Sequence, residues 1–450
     1  MLVSTVQLDL QSRKKWTASG TSRIQPVQET LKKVIPIAKK IGVTRLADIT
    51  GMDALGIPNY SAVLPGTEDY IWVYSGKGPT HDHAKASALM ESVERYSSLP
   101  SGAPRKFVRT SFERLHASDG GRDCAKALHP DDVVEPVSFE YQNDMEMDFL
   151  PAYDLIAKDE ILVPAPLALF RYSPSPPAVN PFAFHHTNGL ASGNVMEEAV
   201  CHALCEVIER DATSLAELRA SAIPYHFLRH ISSSLHSAGF PVRDLDAGAF
   251  VDSPDIFPDV DISEVEFEPV KELAARFARA GIPLIIKDIT SDIGIPTFNA
   301  SSIEWITHDY GYLAEGHGTH PDARIALLRA ITEVSQTRAA NIQGARDDLR
   351  KIKYGENNTD DRRAWQFMPS RRKVKFSQVK SYLNEDILDD IGLLLDRLKK
   401  AGLQRALIVN LTNPDLGVPV VRAIVPGLET FKITKSVMGW RARRYFRQWS

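Results

Sequence analysis

Apolar positions recur at helical spacing in VQETLKKVIPIAKKI, Val27 to Ile41, with Gly42 directly behind. The pattern predicts an amphipathic helix with a glycine stop, and Pro36 inside it marks a kink point. Shorter runs with β character follow in YSAVLP and YIWVYSGKG. A second helix is predicted next, entered through Thr80-His81-Asp82-His83. Its face shows Ala84, Ser87, Ala88, Glu91 and Glu94, and the small residues there let another backbone or a ligand come close. From 98 to 180 the chain is rich in proline, and loops with short strands are expected. ILVPAPLALFRY (161–172) reads as a strand interrupted by proline, and SPSPPAVNPF as a loop. A Gly- and Asn-rich turn from His185 to Asn194 leads straight into a further helix over 195–219.

The second half holds an internal repeat. ELAARFARAGIPLIIKDITSDIGIPTFNASSIE (272–304) matches LLLDRLKKAGLQRALIVNLTNPDLGVPVVRAIVPGLE (393–429). Each copy reads as an amphipathic helix, a glycine stop, an apolar strand, a polar turn with Gly-(Ile/Val)-Pro, and a second strand. Helices alternating with strands predict an α/β or α+β sheet scaffold. Between the copies a third helix starts at Thr319-His320-Pro321-Asp322 and carries Arg329, Glu333, Gln336 and Arg338. Pro and Asp at its start are entry signals. YGENNTDDRRAWQFMPSRRKVK (354–375) is polar and charged and reads as a long mobile loop. The last twenty residues, 431–450, are basic, with no acid, and read as a solvated tail.

The length of 450 residues allows a large core. With 43% hydrophobic and 24% charged residues the chain falls in the ordinary globular class. The net charge of −4 argues against bulk nucleic-acid binding. No stretch is apolar enough to span a bilayer, and the first residues lack a signal-peptide pattern. Cys124, Cys201 and Cys205 make no disulfide framework, which fits a reducing cytoplasm. Cys201 and Cys205 read as small buried hydrophobes on the apolar side of their helix, not as metal ligands.

One carboxylate signature occurs twice and changes the picture. Glu91-Ser-Val-Glu94-Arg95 and Glu206-Val-Ile-Glu209-Arg210 each put two Glu on one helix face. Like charges that close are unfavourable unless a cation sits between them. One Arg per pair is not enough, and two such helices facing each other would make a hard-oxygen nest for Mg²⁺, which usually carries phosphates as well. Glu198 and Glu209 are nearly in line along the second helix, and the Ala and Val around them argue for burial. Asn194 reads as a helix cap and, compatibly, as a phosphate contact at a helix start, and its spacing from Glu197 favours the cap. Arg329 and Glu333 make either a surface ion pair worth well under ~1 kcal/mol or an Arg on phosphate beside a further Mg²⁺ carboxylate. Gly76-Lys77-Gly78 is a fragment of a phosphate loop without the Walker pattern, and no kinase, G-x-S-x-G, HExxH or GxGxxG motif occurs.

SGKGPTHDHAKASALMESVERYS, TNGLASGNVMEEAVCHALCEVIERDA and PDARIALLRAITEVSQTR, with the closing GVPVVRAIVPGLET, resemble the YcaO family over about residues 20–430. The resemblance implies one domain over 1–450 with the α+β YcaO fold, helices packed on mixed β-sheets around the duplicated unit. It implies ATP and Mg²⁺ as cofactors, and activation of a peptide amide by phosphorylation of its carbonyl oxygen. Carried over by residue, Glu91, Glu94, Glu206, Glu209 and Glu333 would hold Mg²⁺. Arg23, Thr30, Ser87, Asn194, Glu198, Arg210, Arg329 and Gln336 would contact the nucleotide. A Pro-rich PxPxP end and a fused adenylating-enzyme-like domain, features of azoline-forming members, are not seen. The chain is more similar to stand-alone archaeal members that work with a TfuA-like sulfur-delivery partner and make a thioamide on a glycine of methyl-coenzyme M reductase. A peptide or protein substrate is therefore expected, with no nucleic-acid or membrane partner; a homodimer is left open. Azoline or amidine formation is the alternative within the family. A di-metal oxygenase would need an E-x-x-H motif on two helices, which neither Glu pair supplies. A non-catalytic peptide-binding scaffold fits poorly with acids and Arg retained on all three helices.

Overall fold

The computed structural model describes residues 8–16, 22–69, 71–117, 127–240, 254–305, 311–345 and 364–447. Over these residues it is an α+β structure with three sheets. The first is the meander β1 (Arg45–Asp48), β2 (Asn59–Val63) and β3 (Val73–Lys77). The second contains β4 (Val108–Ser111), β5 (Glu146–Asp154), β6 (Asp159–Pro164), β7 (Leu190–Ser192), β13 (Leu407–Asn410) and β14 (Val420–Ile424). Its order is β4-β5-β13-β14-β7, with β6 on β5. The third runs β11 (Gly311–Thr319), β10 (Thr297–Trp305), β9 (Leu284–Asp288), β8 (Asp259–Asp261), β12 (Lys373–Lys375). The helices are α1 (Val27–Ile41), α2 (His81–Ser98), α5 (Met196–Glu217), α6 (Ile223–Ser237), α7 (Glu268–Ala280), α8 (Ala323–Gln343), α9 (Ile387–Lys400) and α11 (Trp440–Arg447). Short α3 (Phe112–Ala117), α4 (Ala165–Ala168) and α10 (Phe431–Thr434) complete the set.

One unit of helix, three antiparallel strands and helix is built three times. Two copies are continuous in sequence: α1-β1-β2-β3-α2 and α7-β9-β10-β11-α8. The third is stitched from two segments, with α9, β13 and β14 completed by β7 and α5 from the middle of the chain. Just past the first helix of each unit stands a glycine with φ of 101°, 66° or 90°: Gly42, Gly281 and Gly402. A Gly-(Ile/Val)-Pro turn then enters the second strand, with Gly56, Gly294 and Gly417 at φ of 59°, 74° and 64°. Only glycine adopts that left-handed conformation without strain. The duplication visible in the sequence is thus two parts of a threefold pattern. The last helix of each unit packs on its own sheet and also touches the next unit: α2 meets β7, α5 meets β11, and α8 meets β3.

The apolar faces fill separate cores. Leu204, Ile208, Leu394, Leu398, Ile408 and Val421 join α5, α9 and their sheet. Phe277, Ile286, Phe298, Leu327 and Ile331 join α7, α8 and theirs. Cys201 and Cys205 sit buried in the first of these cores, as expected, while Cys124 lies outside the described residues. No described helix is long and apolar enough to cross a membrane.

Several expectations are corrected. The segment 161–172 is strand only to Pro164 and then turns into α4. The helix expected over 195–219 continues through a π-turn, Leu218–Ala222, into α6, with Pro at the start of α6. Of the loop expected over 354–375, residues 354–363 lie outside the described set, but 373–375 form β12, paired parallel to β8, and Trp365 is buried. The basic C-terminal segment is not a solvated tail. Arg441 of α11 is buried and makes a two-pronged pair with Asp211 of α5, Nε and Nη2 each 2.8 Å from a carboxylate oxygen, and its Nη2 also reaches Asp292 at 2.5 Å.

Removing one member of such a pair strands a buried charge. Arg441→Met should therefore lower the unfolding free energy by about 3–5 kcal/mol, read from urea denaturation at neutral pH. An effect below ~1 kcal/mol, as for an exposed pair, would mean that α11 is not anchored by this contact.

Candidate active site

The three unit-closing helices share one register. Their N-caps are Thr80, Val195 and Asp322. Four and eight residues on come Ala84, Ala199, Ala326 and Ala88, Ala203, Ala330, all fully buried. A Cβ on Gly76 of β3 would lie 2.1 Å from the Ala88 nitrogen, and one on Gly318 of β11 would lie 1.9 Å from the Ala326 carbonyl. Cβ atoms on Gly78 and Gly193 would stand 2.8 and 2.6 Å from the Ala84 and Ala199 nitrogens. Strand backbone therefore rests directly on helix backbone, which leaves no room to slide or rotate. Seven residues past the cap stand Ser87, His202 and Arg329; eleven past it, Glu91, Glu206 and Glu333; fourteen past it, Glu94, Glu209 and Gln336. At 100° per residue these positions share one face.

That face meets two cavities. The first, about 270 Å³, is lined by Arg23, Thr30, Ser87, Glu91, Glu94, Asn194, Glu198 and Arg329 among others. The second, about 430 Å³, is lined by Glu206, Arg210 and Glu333 with His186, Glu315, His317 and Lys432. Glu209 and Gln336 line neither. The Gln336 amide instead donates to the Ser75 carbonyl at 2.6 Å, tying α8 to β3.

Asn194 is not the helix cap that its spacing suggests. Val195 takes that position without a side-chain cap bond. The Asn194 Oδ1 accepts from Thr30 Oγ1 at 2.9 Å and from Gln25 Nε2 at 3.0 Å. Its backbone and side-chain N–H groups donate to Glu198 Oε2 at 2.8 and 2.9 Å. The same carboxylate takes Arg23 Nη1 at 3.2 Å and the Ile24 N–H at 2.8 Å. Glu198 thus fixes the segment carrying Arg23 against the start of α5. Arg329 and Glu333 do not form a surface ion pair. Arg329 Nη2 donates to His202 Nε2 at 2.9 Å, and Glu333 is engaged by Lys77 and by the His317 N–H.

The electrostatics leave a deficit of positive charge. Burial pushes the Glu94 carboxyl well above the ordinary range, and Glu91 and Glu206 push it further. Burial also lifts Glu206 to about 7, against the pull of Arg210. Glu209 Oε2 is buried without a hydrogen-bond partner. Burial would raise Glu333 too, but Lys77, His317 and Arg210 outweigh it and hold it well below the usual value. Arg95 is shared between Glu91 at 3.0 Å and Asp69 at 3.7 Å, outside the cavity. Protonated or unpartnered carboxylates from two helices are hard-oxygen donors awaiting a cation, and they fit Mg²⁺.

Gln25 and His202 are assigned no role from the sequence, and Lys77 enters it only through the Gly76-Lys77-Gly78 fragment. Burial, with the charges of Arg329, Arg23 and Lys77, keeps His202 neutral. Its Nε2 accepts from Arg329, so Nδ1 carries the proton, and that Nδ1 is buried without a partner. The cap-to-His202 spacing, equal to that of Ser87 and Arg329, was the available signal. A Cys201, His320 and Asp390 cluster also has ligand-like spacing. There the His320 Nδ1 accepts the Asp322 N–H at 3.0 Å and Lys15 pairs with Asp390 at 2.5 Å, while the His320 Nε2 is buried without a hydrogen-bond partner.

A family model described as YcaO cyclodehydratase, ATP- and Mg²⁺-binding, matches residues 75–429. An uncharacterized protein of Methanothermobacter thermautotrophicus is 34% identical over 421 residues, 92% of this chain and 97% of that one. A protein in the tfuA 3' region of Rhizobium leguminosarum bv. trifolii is 28% identical over 435 residues, 95% of this chain and 93% of its own. A YcaO structure from Methanopyrus kandleri bound with AMPPCP and Mg²⁺ superposes with a TM-score of 0.66 at 23% identity, covering 93% of this chain and 95% of that one. A heterocyclase in complex with substrate and cofactor gives a TM-score of 0.70 at 24% identity over 94% of this chain, which spans only 55% of the heterocyclase. Both likenesses are of fold.

The raised Glu206 makes a pH prediction for the metal-free chain. The folded state holds a proton up to about 7, whereas the unfolded state releases it near 4.5. Stability should therefore fall as pH rises through that window and level off above it, by on the order of 3 kcal/mol, with Glu94 acting in the same direction. Mg²⁺ should restore it, raising Tm more at about pH 8 than at about pH 6 and releasing protons as it binds. A metal-free Tm that climbs across the same window would mean that the acids are already neutralised.

Proposed function

The chain belongs to the YcaO family, and from that membership we propose that it phosphorylates the carbonyl oxygen of a peptide backbone amide to form a thioamide. As a member of that ATP- and Mg²⁺-binding family it is an ATP-dependent enzyme that modifies peptide amides. The observation that carries the finer reading is the pair of cavities meeting the same carboxylate face. A phosphoryl donor in one and an acceptor amide in the other would approach each other across Glu94, Glu206 and Glu333.

Arg23 and Arg329 bring guanidinium groups to the first cavity, where paired N–H donors suit phosphate oxygens. His202, kept neutral, orients Arg329 without competing for its charge. Glu91, Glu94, Glu206, Glu209 and Glu333 would hold Mg²⁺, which when bound neutralises phosphate oxygens and acts as a Lewis acid. In the second cavity Arg210 carries an enhanced hold on its proton, set by Glu209, Glu206, Glu333 and Glu315 against burial. It remains a full cation beside the reacting oxygens.

The chemistry needs such an arrangement. An amide oxygen is a poor leaving group. A sulfur nucleophile adds to the carbonyl carbon, the oxygen takes the terminal phosphoryl group of ATP, and ADP is released. The C–O bond then breaks, phosphate departs, and the sulfur loses its proton as the C=S bond forms. The methanogen relative and the relative beside tfuA support sulfur over ring closure, with a TfuA-like delivery protein as partner; a protein glycine, of the methyl-coenzyme M reductase type, is the target that the resemblance implies. The cyclodehydratase description of the family favours azoline formation as the second reading. Product mass separates them, since exchange of oxygen for sulfur adds mass and ring closure with loss of water removes it.

Glu94→Gln and Glu206→Gln should each abolish ATP turnover while circular dichroism stays native. Wild-type turnover in either variant would displace the carboxylates from the reaction. For the chemistry, a substrate peptide labelled with ¹⁸O at the target carbonyl should deliver the label to inorganic phosphate, with ADP as the other product. Label kept in the peptide, or AMP and pyrophosphate as main products, would rule out phosphorylation of the amide oxygen.

A further inference from the structure

Lys77 lies where the two cavities adjoin. It lines the first, yet its ammonium is bonded to Glu333 Oε2, and Glu333 lines the second. The other oxygen of that carboxylate accepts the His317 backbone N–H at 3.3 Å. Both oxygens of an expected Mg²⁺ ligand are therefore occupied from within the chain. An ammonium and a divalent ion cannot share one carboxylate oxygen at close range without strong repulsion.

The lysine is held there by its strand. Lys77 pairs with Asn59 across the β2–β3 ladder. Gly76 and Gly78 on either side press the backbone onto α2 so closely that neither could carry a side chain. With the backbone fixed, only the flexible four-carbon stem can move, and the side chain is one-fifth exposed toward the cavity.

We propose that Lys77 is a tethered counter-cation: it holds Glu333 while the chain is free of metal, and it is displaced into the first cavity when Mg²⁺ takes that carboxylate. There its ammonium pairs with nucleotide phosphate oxygens. This rests on the reading of Glu333 as a metal ligand. Metal and nucleotide then bind with positive coupling, because each supplies what the other's arrival displaces. Metal alone must strip Lys77 from Glu333 and leave an ammonium without an anion. Metal arriving with nucleotide exchanges one ion pair for another.

The test is metal binding to the nucleotide-free chain, with Mn²⁺ as a spin probe read by electron paramagnetic resonance, beside calorimetry of ATP at saturating Mg²⁺. In Lys77→Met, Mn²⁺ alone should bind about tenfold more tightly, while ATP with Mg²⁺ should bind about tenfold more weakly. Lys77→Gln should move both values the same way, with native circular dichroism. A lysine with only a structural role would weaken both. Unchanged or weaker Mn²⁺ binding in both variants overturns the proposal. Glu333→Gln added to Lys77→Met should erase the gain. If the gain persists, Lys77 blocks a different carboxylate and the proposal falls while the carboxylate nest stands. If Glu333→Gln leaves Mn²⁺ affinity untouched in both backgrounds, the assignment of Glu333 to the metal falls as well.

Discussion

Mutual repulsion among carboxylates is the constraint on which this molecule is organised. Glu91, Glu94, Glu206, Glu209 and Glu333 come from three helices on three different sheets and are brought to one region. Left alone they would push those helices apart, and burial deepens the penalty by withdrawing water. The opposing force is short-range and apolar. Glycine on the strand meets alanine on the helix, backbone against backbone, and larger aliphatic cores lie behind. Such contacts do not yield by fractions of an ångström, so the electrostatic stress appears as displaced protonation and not as displaced helices. Affinity for a divalent cation is, in this sense, stored in the apo fold.

Much of the scaffold could be read from local signals. The expected helix entries lie where the sequence put them, with Thr80 and Asp322 proving to be the N-caps, and Gly42 ends α1 in the left-handed conformation. The helix–strand–strand duplication reappears as α7-β9-β10 and α9-β13-β14. Its third occurrence is fainter in the sequence, although Gly56-Ile57-Pro58 repeats the turn signature. The strand before that turn, Arg-Leu-Ala-Asp in β1, is short and has no fully buried residue, and so lacks the apolar run that marks the other two copies.

What could not be read is long-range pairing. Asn194 has cap spacing, but its oxygen is claimed by Thr30 and Gln25, far away in sequence, and no local rule anticipates that competition. Arg441 belongs to a run of cations that looks solvated until Asp211 is found opposite it. For the candidate site, periodicity singled out the acids because two Glu one turn apart are an improbable burial. Lys77 sits in a strand, where alternation says only which side it faces, not what waits there. The family likeness names the fold and the cofactor class, while the partners of Glu198, Gln336 and Lys77 emerge only in three dimensions.

The stitched third unit has a consequence for how the protein comes into being. The helix bearing Glu206 and Glu209 leaves the ribosome well before β13 and β14, the strands that complete the sheet beneath it. During that interval β7 has no β14 to pair with, and α5 has no α9 to cover its apolar side. The support that holds the acidic face of α5 toward α2 and α8 is thus complete only once residues near 424 have been translated. Synthesis from the N-terminus thus acts as a timer. A chain that stops before α9 carries all three acidic helices, but it lacks α9, β13 and β14, the elements that close the sheet and the apolar core behind the second.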